Sequence, residues 1–292
     1  MVCDICPRRC HALRAAEHGE GYCRMPAQPV LARADLHMWE EPPISGTRGS
    51  GTIFFSGCSL GCVFCQNEEI SHRDFGKPVG VERLGEICDE LVARGAHNIN
   101  FVTPTHYAHT IIELLNGHPM SVPVVYNCGG YERTETLNAL AGKVDIYLPD
   151  LKYMDGQTAA RYSDAPNYPE VATAAIRQMV EQVGPCTFGE DGLLKRGVII
   201  RHLLLPGQLN GAKAAMDWVA KTFAPGQVLF SLMSQYTPWG RAGEFAEINR
   251  TLRAGEIRAA REYMDNLGLE GFTQERDSVG RQYTPNFDLT GI

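Results

Sequence analysis

Residues 52–67 read TIFFSGCSLGCVFCQN, a short apolar run followed at once by a loop that carries Cys58, Cys62 and Cys65. TIFFS is rich in β-branched and aromatic residues and breaks at Gly57, the pattern of a strand ending in a turn. The loop spacing is C-x3-C-x2-C, three thiols close enough in sequence to wrap one inorganic cluster. A [4Fe–4S] cube has four irons, so three thiolates leave one iron open to a substrate or cofactor. The competing reading is half a zinc knuckle. Zinc takes four ligands, usually from paired knuckles, and no second knuckle follows Cys65. The loop therefore reads as a cluster ligand set, with Gly57 and Gly61 letting the backbone pass close to the cluster.

Working outward, further β-rich runs appear at 98–102 (NINFV), 122–126 (VPVVY), 144–148 (VDIYL), 198–205 (VIIRHLLL) and 227–233 (QVLFSLM). Helix-period segments lie between them. Val81, Leu84, Ile87, Leu91 and Val92 form one apolar stripe, Ile111, Ile112, Leu114 and Leu115 another, and Val171, Ala175, Met179 and Val183 a third. The last helical stretch runs over 244–267, with Gly255 as a break. Six strand–helix units in a row predict an α/β fold with a parallel sheet and right-handed crossovers. Six are too few for the eight-fold barrel, so a partial (β/α)6 barrel is expected over 46–292, with an open doubly wound sheet as the alternative. Residues 1–45 lack periodicity and read as a Cys-rich, metal-stapled arm.

Composition narrows the function. The chain has 292 residues, 44% of them hydrophobic and 21% charged, which fits a folded globular protein. Lys plus Arg number 27 against 34 Asp plus Glu, a net charge of −7, the wrong balance for a nucleic-acid binder. The start MVCDICPRRC has no signal-peptide stretch, and the most apolar run is cut by Arg201 and His202, so no membrane span is expected and the cytoplasm is the expected location. There thiols stay reduced, and seven of the ten cysteines cluster before residue 66, which points to metal rather than disulfides. Cys3, Cys6, Cys10 and Cys23 follow C-x2-C-x3-C-x12-C and supply four thiolates, enough to close a second metal centre. The wide last interval and Pro7 directly after Cys6 favour iron–sulfur over zinc there.

In parallel α/β folds the working groups collect at the carboxyl ends of the strands. Here those ends carry TPTHY (103–107), NCGGYE (127–132), PDLK (149–152), Arg201–His202 and SQYTPW (234–239). Asp150 and Lys152 flank Leu151 and so share one face of their strand end. They read as a carboxylate and an ammonium offered to a ligand, or as a strand-end salt bridge. Arg201 inside an apolar strand needs an anionic partner, either a ligand carboxylate or Asp150. His37, His106, His109 and His202 read as structural. Cys88 and Cys128 read as packed residues, and Glu40-Glu41-Pro42-Pro43 as a segment over the barrel mouth or a solvated turn.

The loop SGCSLGCVFCQN resembles that of the radical S-adenosylmethionine (SAM) superfamily, with Phe64 as the aromatic before the last Cys. Within it, the chain resembles the glycyl-radical enzyme activases of the pyruvate formate-lyase activating type, in the branch with an N-terminal Cys cluster and a run like HMWEEPPISGTRGSGTIFFSGC (37–58). The resemblance implies a [4Fe–4S] cluster on Cys58, Cys62 and Cys65, with SAM on the open iron. It also implies SAM contacts from Phe64, Cys65-Gln66-Asn67, Asp150-Leu151-Lys152, Arg201 in IRHLLLPG (200–207) and Asn127 in NCGGY. Thr103 and Thr105 stand where the activases carry Gly-Gly-Glu, Asn127 replaces an Asp, and Tyr236 falls where a His touches SAM. The implied activity is reductive cleavage of SAM to a 5′-deoxyadenosyl radical that abstracts hydrogen from a glycine of a partner glycyl-radical enzyme, with flavodoxin or ferredoxin as reductant. The alternatives are a radical SAM enzyme acting on a small molecule or peptide, and a non-catalytic iron–sulfur carrier or sensor.

Overall fold

The computed structural model describes residues 2–273 and 285–292. The six β-rich runs form β2 (Ser50–Phe55), β4 (Ile99–Val102), β5 (Val124–Cys128), β6 (Ile146–Pro149), β8 (Leu194–Leu203) and β9 (Leu229–Met233). These six pair in parallel and in that order. Between them run α3 (Val81–Ala93), α4 (Ala108–Gly117), α5 (Thr134–Leu140), α6 (Gly156–Ser163), α7 (Tyr168–Val183) and α8 (Leu209–Thr222). The apolar stripes read from the sequence are the buried faces of α3, α4 and α7, so each helix covers the outside of the sheet. β7 (Thr187–Phe188) is a short antiparallel partner of β8.

Three strands extend this frame. β1 (Val30–His37) runs antiparallel to β2, with β3 (Lys77–Pro78) on its far side. β10 (Gly271–Thr273) adds in parallel to β9 after α9 (Ala254–Leu267). Gly255 stands in the first turn of α9 rather than breaking a longer helix, because the preceding segment turns in 3-10 geometry only at 242–244. The chain end returns to the opposite sheet edge, where Ala34 N–H donates to Thr290 O at 2.8 Å and Leu289 N–H to Ala32 O at 3.1 Å.

The sheet curls into a partial barrel. Its curvature is shown by α1 (Pro42–Ser45), whose Ile44 packs at once against Val125, Ile146, Ile199 and Leu229, inward positions of β5, β6, β8 and β9. β1 ends at His37 opposite Ser50, the first residue of β2, so α1 enters the barrel from the amino ends of the parallel strands. Asn98 fastens it, donating to Ile44 O at 2.8 Å and accepting from Ser50 Oγ at 2.6 Å. A second core of large apolar residues, including Phe55, Phe101, Tyr107, Tyr126 and Tyr147, fills the space between sheet and helices.

Candidate metal centre and ligand site

Cys58, Cys62 and Cys65 lie on the loop directly after β2, at the carboxyl mouth of the barrel. The loop is held from several sides. Gly61 N–H donates to Ser163 O at 3.1 Å and Val63 N–H to Tyr162 O at 2.9 Å, both at the end of α6. Asp155 starts that helix by capping Thr158 N–H at 2.8 Å. α6 then delivers Ser163, whose hydroxyl donates to Cys62 Sγ at 2.9 Å. Leu60 N–H points to Cys58 Sγ at 3.4 Å, and Cys65 Sγ lies 3.6 Å from Ser71 Oγ.

The donor set fits a cluster. Burial pushes the Cys58 thiol far up and that of Cys65 to about 11, and each also feels the charge of Cys62. Half-buried thiolates crowded on one loop repel one another and need a shared cationic centre, and O–H···S and N–H···S contacts of this kind tune iron–sulfur ligands. Among the described residues no three His, Cys, Asp or Glu side chains are gathered so as to hold a single metal ion.

The N-terminal arm packs onto this loop. Arg8 donates to Ser59 O at 2.7 Å and to Asp164 O at 2.5 Å, with its guanidinium 3.7 Å from the centre of the Tyr22 ring. Gly57 has φ +80°, and a Cβ there would sit 2.2 Å from Met25 Cγ and 3.1 Å from Cys23 O. At Gly61 a Cβ would meet Tyr22 Oη at 2.4 Å. The neighbour that these two glycines admit is the arm. Within it Cys3 and Cys6 are buried, Cys23 is half-buried and Cys10 exposed. Burial and the charges of Cys23 and Cys3 push Cys6 up to about 12, and Cys23 in turn feels Cys3 and Cys10.

Across the mouth, Arg201 and Lys152 share Asp150. Arg201 Nε donates to Asp150 Oδ1 at 3.0 Å and Lys152 Nζ to Oδ2 at 2.6 Å. Tyr168 of α7 fixes this strand end, accepting Lys152 N–H at 2.9 Å and donating to Asp150 O at 2.7 Å. Arg201 Nη2 donates to Asn127 Oδ1 at 2.6 Å, and Nη1 lies 3.5 Å from Glu40 Oε2. Asp150 is held below its usual range by the two cations despite burial, and Lys152 is held above its own by Asp150 and by Cys62. Lys152 thus links the charge cluster to the cysteine loop.

The other residues singled out in the sequence scatter in role. Phe64 is buried edge-on against Tyr236, ring centres 5.8 Å apart, and the Tyr236 hydroxyl donates to Ile248 O at 2.9 Å. Asn67 Oδ1 is buried with no partner, while Gln66 is exposed. Leu151 packs in the helix-side core, with its N–H donating to Arg201 O. Thr103 has φ +59°, a strained conformation for a β-branched residue. The Thr105 hydroxyl donates to Glu132, which burial raises to about 8. His106 and His202 contact backbone carbonyls and stay neutral through burial. A cavity of about 310 Å3 lies outside the barrel, between 152–155 and the start of α8, and only Lys152 of the charge cluster lines it.

Glu40 and Glu41 are the residues whose place the sequence did not reveal. They directly precede α1 and lie in the lumen, both largely buried. Asn127 Nδ2 lies 3.3 Å from Glu40 Oε1. Their only sequence signal is a pair of acids before two prolines.

This fold is shared with radical SAM enzymes. Methylornithine synthase (PylB) superposes with a TM-score of 0.51 at 14% identity, over 80% of this chain and 73% of that one. SuiB of Streptococcus suis, in its S-adenosylmethionine-bound crystal structure, gives 0.50 at 12% identity over 75% of this chain and 48% of its own, so the chain spans about half of SuiB. A spore photoproduct lyase gives 0.50 at 12% identity, over 75% and 74%. No family model matches the chain. It is 30% identical over 277 residues to the uncharacterized protein MJ0674 of Methanocaldococcus jannaschii, across 92% of this chain and 75% of that protein, and it belongs to the same family. No helix among the described residues is long and apolar enough to cross a membrane.

Proposed function

We propose that this protein is a radical SAM oxidoreductase that binds a [4Fe–4S] cluster through Cys58, Cys62 and Cys65 and SAM at the open iron. The observation that carries this reading is three half-buried thiols at the mouth of a parallel partial barrel, beside the Lys152–Asp150–Arg201 cluster. Cluster and SAM together supply a one-electron cleavage that yields methionine and a 5′-deoxyadenosyl radical able to take a hydrogen atom from substrate. The chain's own residues bind and orient. Arg201 offers a guanidinium for a ligand carboxylate, and Asn67 Oδ1 is an acceptor without a partner. Ser163 donates a hydrogen bond to Cys62 Sγ, and Lys152 carries its charge beside the cysteine loop. Anaerobic reconstitution with dithionite and SAM tests the reading: 5′-deoxyadenosine must form, and its absence from iron-loaded protein would leave an iron–sulfur carrier or sensor.

The finer activity in this proposal is hydrogen abstraction from a glycine of a partner glycyl-radical enzyme in the cytoplasm, with flavodoxin or ferredoxin as reductant. An electron paramagnetic resonance doublet on the partner tests it. A second reading, a small-molecule or peptide substrate, is favoured by the polar floor that Glu40 and Glu41 build inside the lumen. The arm completes the proposal with a second metal centre on Cys3, Cys6, Cys10 and Cys23, iron–sulfur rather than zinc. Mutual charge contact among these thiols and the packing of Cys23 against Gly57, next to Cys58, support a relay of electrons into the first cluster.

A further inference from the structure

The lumen floor holds polar groups that nothing in the protein satisfies. Glu41 is 4% exposed and its Oε2 has no partner; Asn100 and Ser231 are fully buried, and neither amide atom of Asn100 nor the Ser231 hydroxyl has a partner. All three face the lumen. Asn100 is in register with Val125, which packs on Ile44, and Ser231 is in register with Arg201. Glu41 stands beside Ser231, and Glu40 beside Asn100, near enough to interact but outside hydrogen-bond geometry. Four buried unpaired polar atoms in one place are costly, at about 1–3 kcal/mol each, unless something completes them.

Charge gives the missing partner its sign. Three carboxyl groups, Glu40, Glu41 and Asp150, surround Arg201, with Lys152 as the second cation; burial raises the carboxyls of Glu40 and Glu41, and ionising both of them as well as Asp150 takes one further positive charge. Lys152 is committed to Asp150, and Arg201 turns its guanidinium to Asp150, Asn127 and Glu40. Arg201 and Glu40, with 14% and 9% side-chain exposure, are groups of this cluster that solvent reaches.

We propose that Glu41, Asn100 and Ser231 form a subsite for a primary ammonium group of the substrate. An ammonium carries one positive charge and three N–H donors. Glu41 Oε2, Asn100 Oδ1 and Ser231 Oγ are three acceptors, and a cation beside Glu41 favours its ionised form. The inference rests on the radical SAM reading for its place beneath the reaction site, and it makes the substrate an amine that enters the barrel.

The test uses anaerobically reconstituted holoprotein with SAM and two probes, butylamine and the neutral, equally long butanol. Calorimetric titration should show butylamine binding at least about tenfold more tightly, the lower end of a charge-assisted contact. Glu41→Gln should remove that preference, with iron content as the check on the intact site. Ser231→Ala, a smaller change that keeps the proposal testable if Glu41→Gln does not fold, should weaken butylamine several-fold and leave butanol unchanged. Equal binding of both probes, or a preference that survives both substitutions, overturns the subsite. Iron-loaded protein that binds butylamine through Glu41 but makes no 5′-deoxyadenosine would overturn the radical SAM reading and leave the subsite standing.

Discussion

Replacing Asp150 by Ala separates a ligand site from a bare salt bridge. Asp150 is the only ion-pair partner of Lys152 among the described residues and the nearest carboxylate to Arg201. The three side chains are only 14–19% exposed, so solvent screens the pairs weakly. Removing one partner of a buried pair costs about 3–5 kcal/mol. Arg201 keeps Asn127 at 2.6 Å and Glu40 at 3.5 Å, which places the expected loss at the lower end, about 3 kcal/mol.

At roughly 2–4 °C per kcal/mol for a chain of this size, the melting temperature should fall by about 6–12 °C. Asp150→Asn keeps an acceptor and should lose about half as much. The same substitution frees Arg201 to turn away from the mouth, so SAM affinity, measured by equilibrium dialysis on reconstituted protein, should drop roughly ten- to a hundred-fold. The reasoning is refuted if Asp150→Ala melts within about 2 °C of the parent and binds SAM equally well, because the pairs would then contribute nothing to fold or site.

Other expectations follow from the same geometry. Ala at Cys58, Cys62 or Cys65 should abolish 5′-deoxyadenosine formation, since each removes one of three ligands; normal turnover in any of them refutes the assignment. Metal analysis should give about eight irons per chain and no zinc if the arm holds a second cube; four irons with one zinc would contradict it, and Cys23→Ser should slow reductive turnover while sparing SAM binding. Gly57→Ala should destabilise by about 1–3 kcal/mol in urea titration, since it combines φ +80° with a contact at 2.2 Å to Met25. Glu256 accepts from Arg250, Arg253 N–H and Gly207 N–H, and chiefly Arg250 holds its carboxyl down at about 2. Its contribution is whole above about pH 4.5 and is lost as pH falls toward 2, so Glu256→Gln should destabilise at neutral pH and converge with the parent in acid.

The six parallel strands were legible because each is a dense run of β-branched and aromatic residues in a sheet buried on both faces. β1 was not, since Val30–His37 mixes Ala, Arg and Asp with its apolar residues and becomes a strand only by pairing with β2. The place of the cysteine loop was legible because Cys58, Cys62 and Cys65 follow directly on a β-rich run that ends in Gly57. Asp150, Lys152 and Arg201 could be named from strand-end position, but the meeting of Arg201 with Asp150 and Asn127 depends on strand order. Glu40 and Glu41 escaped because EEPP has the local composition of a solvated turn. Only the entry of Ile44 into the barrel from the amino ends of the strands, fixed by Asn98, places them inside.

That entry from below bears on how a substrate can approach. From below, Ile44 and α1 seal the amino ends of the strands. On the side of the cysteine loop, Arg8, Tyr22 and Met25 cover the backbone of 57–61. Further round, the arm is tied to the ends of β4 and β5, where Arg14 donates to His106 O at 2.5 Å and Thr136 to Ile5 O at 2.6 Å. At the carboxyl end of β8 the arm contributes Glu40, whose Oε2 lies 3.5 Å from Arg201 Nη1. In the proposed subsite a substrate comes down past Arg201 toward a floor whose unsatisfied atoms include three acceptors, Glu41 Oε2, Asn100 Oδ1 and Ser231 Oγ. A glycine on a partner loop needs only the mouth and leaves that floor unused. An amine-bearing substrate uses both, and its length from ammonium to target carbon is then set by the depth between Glu41 and the cysteine loop.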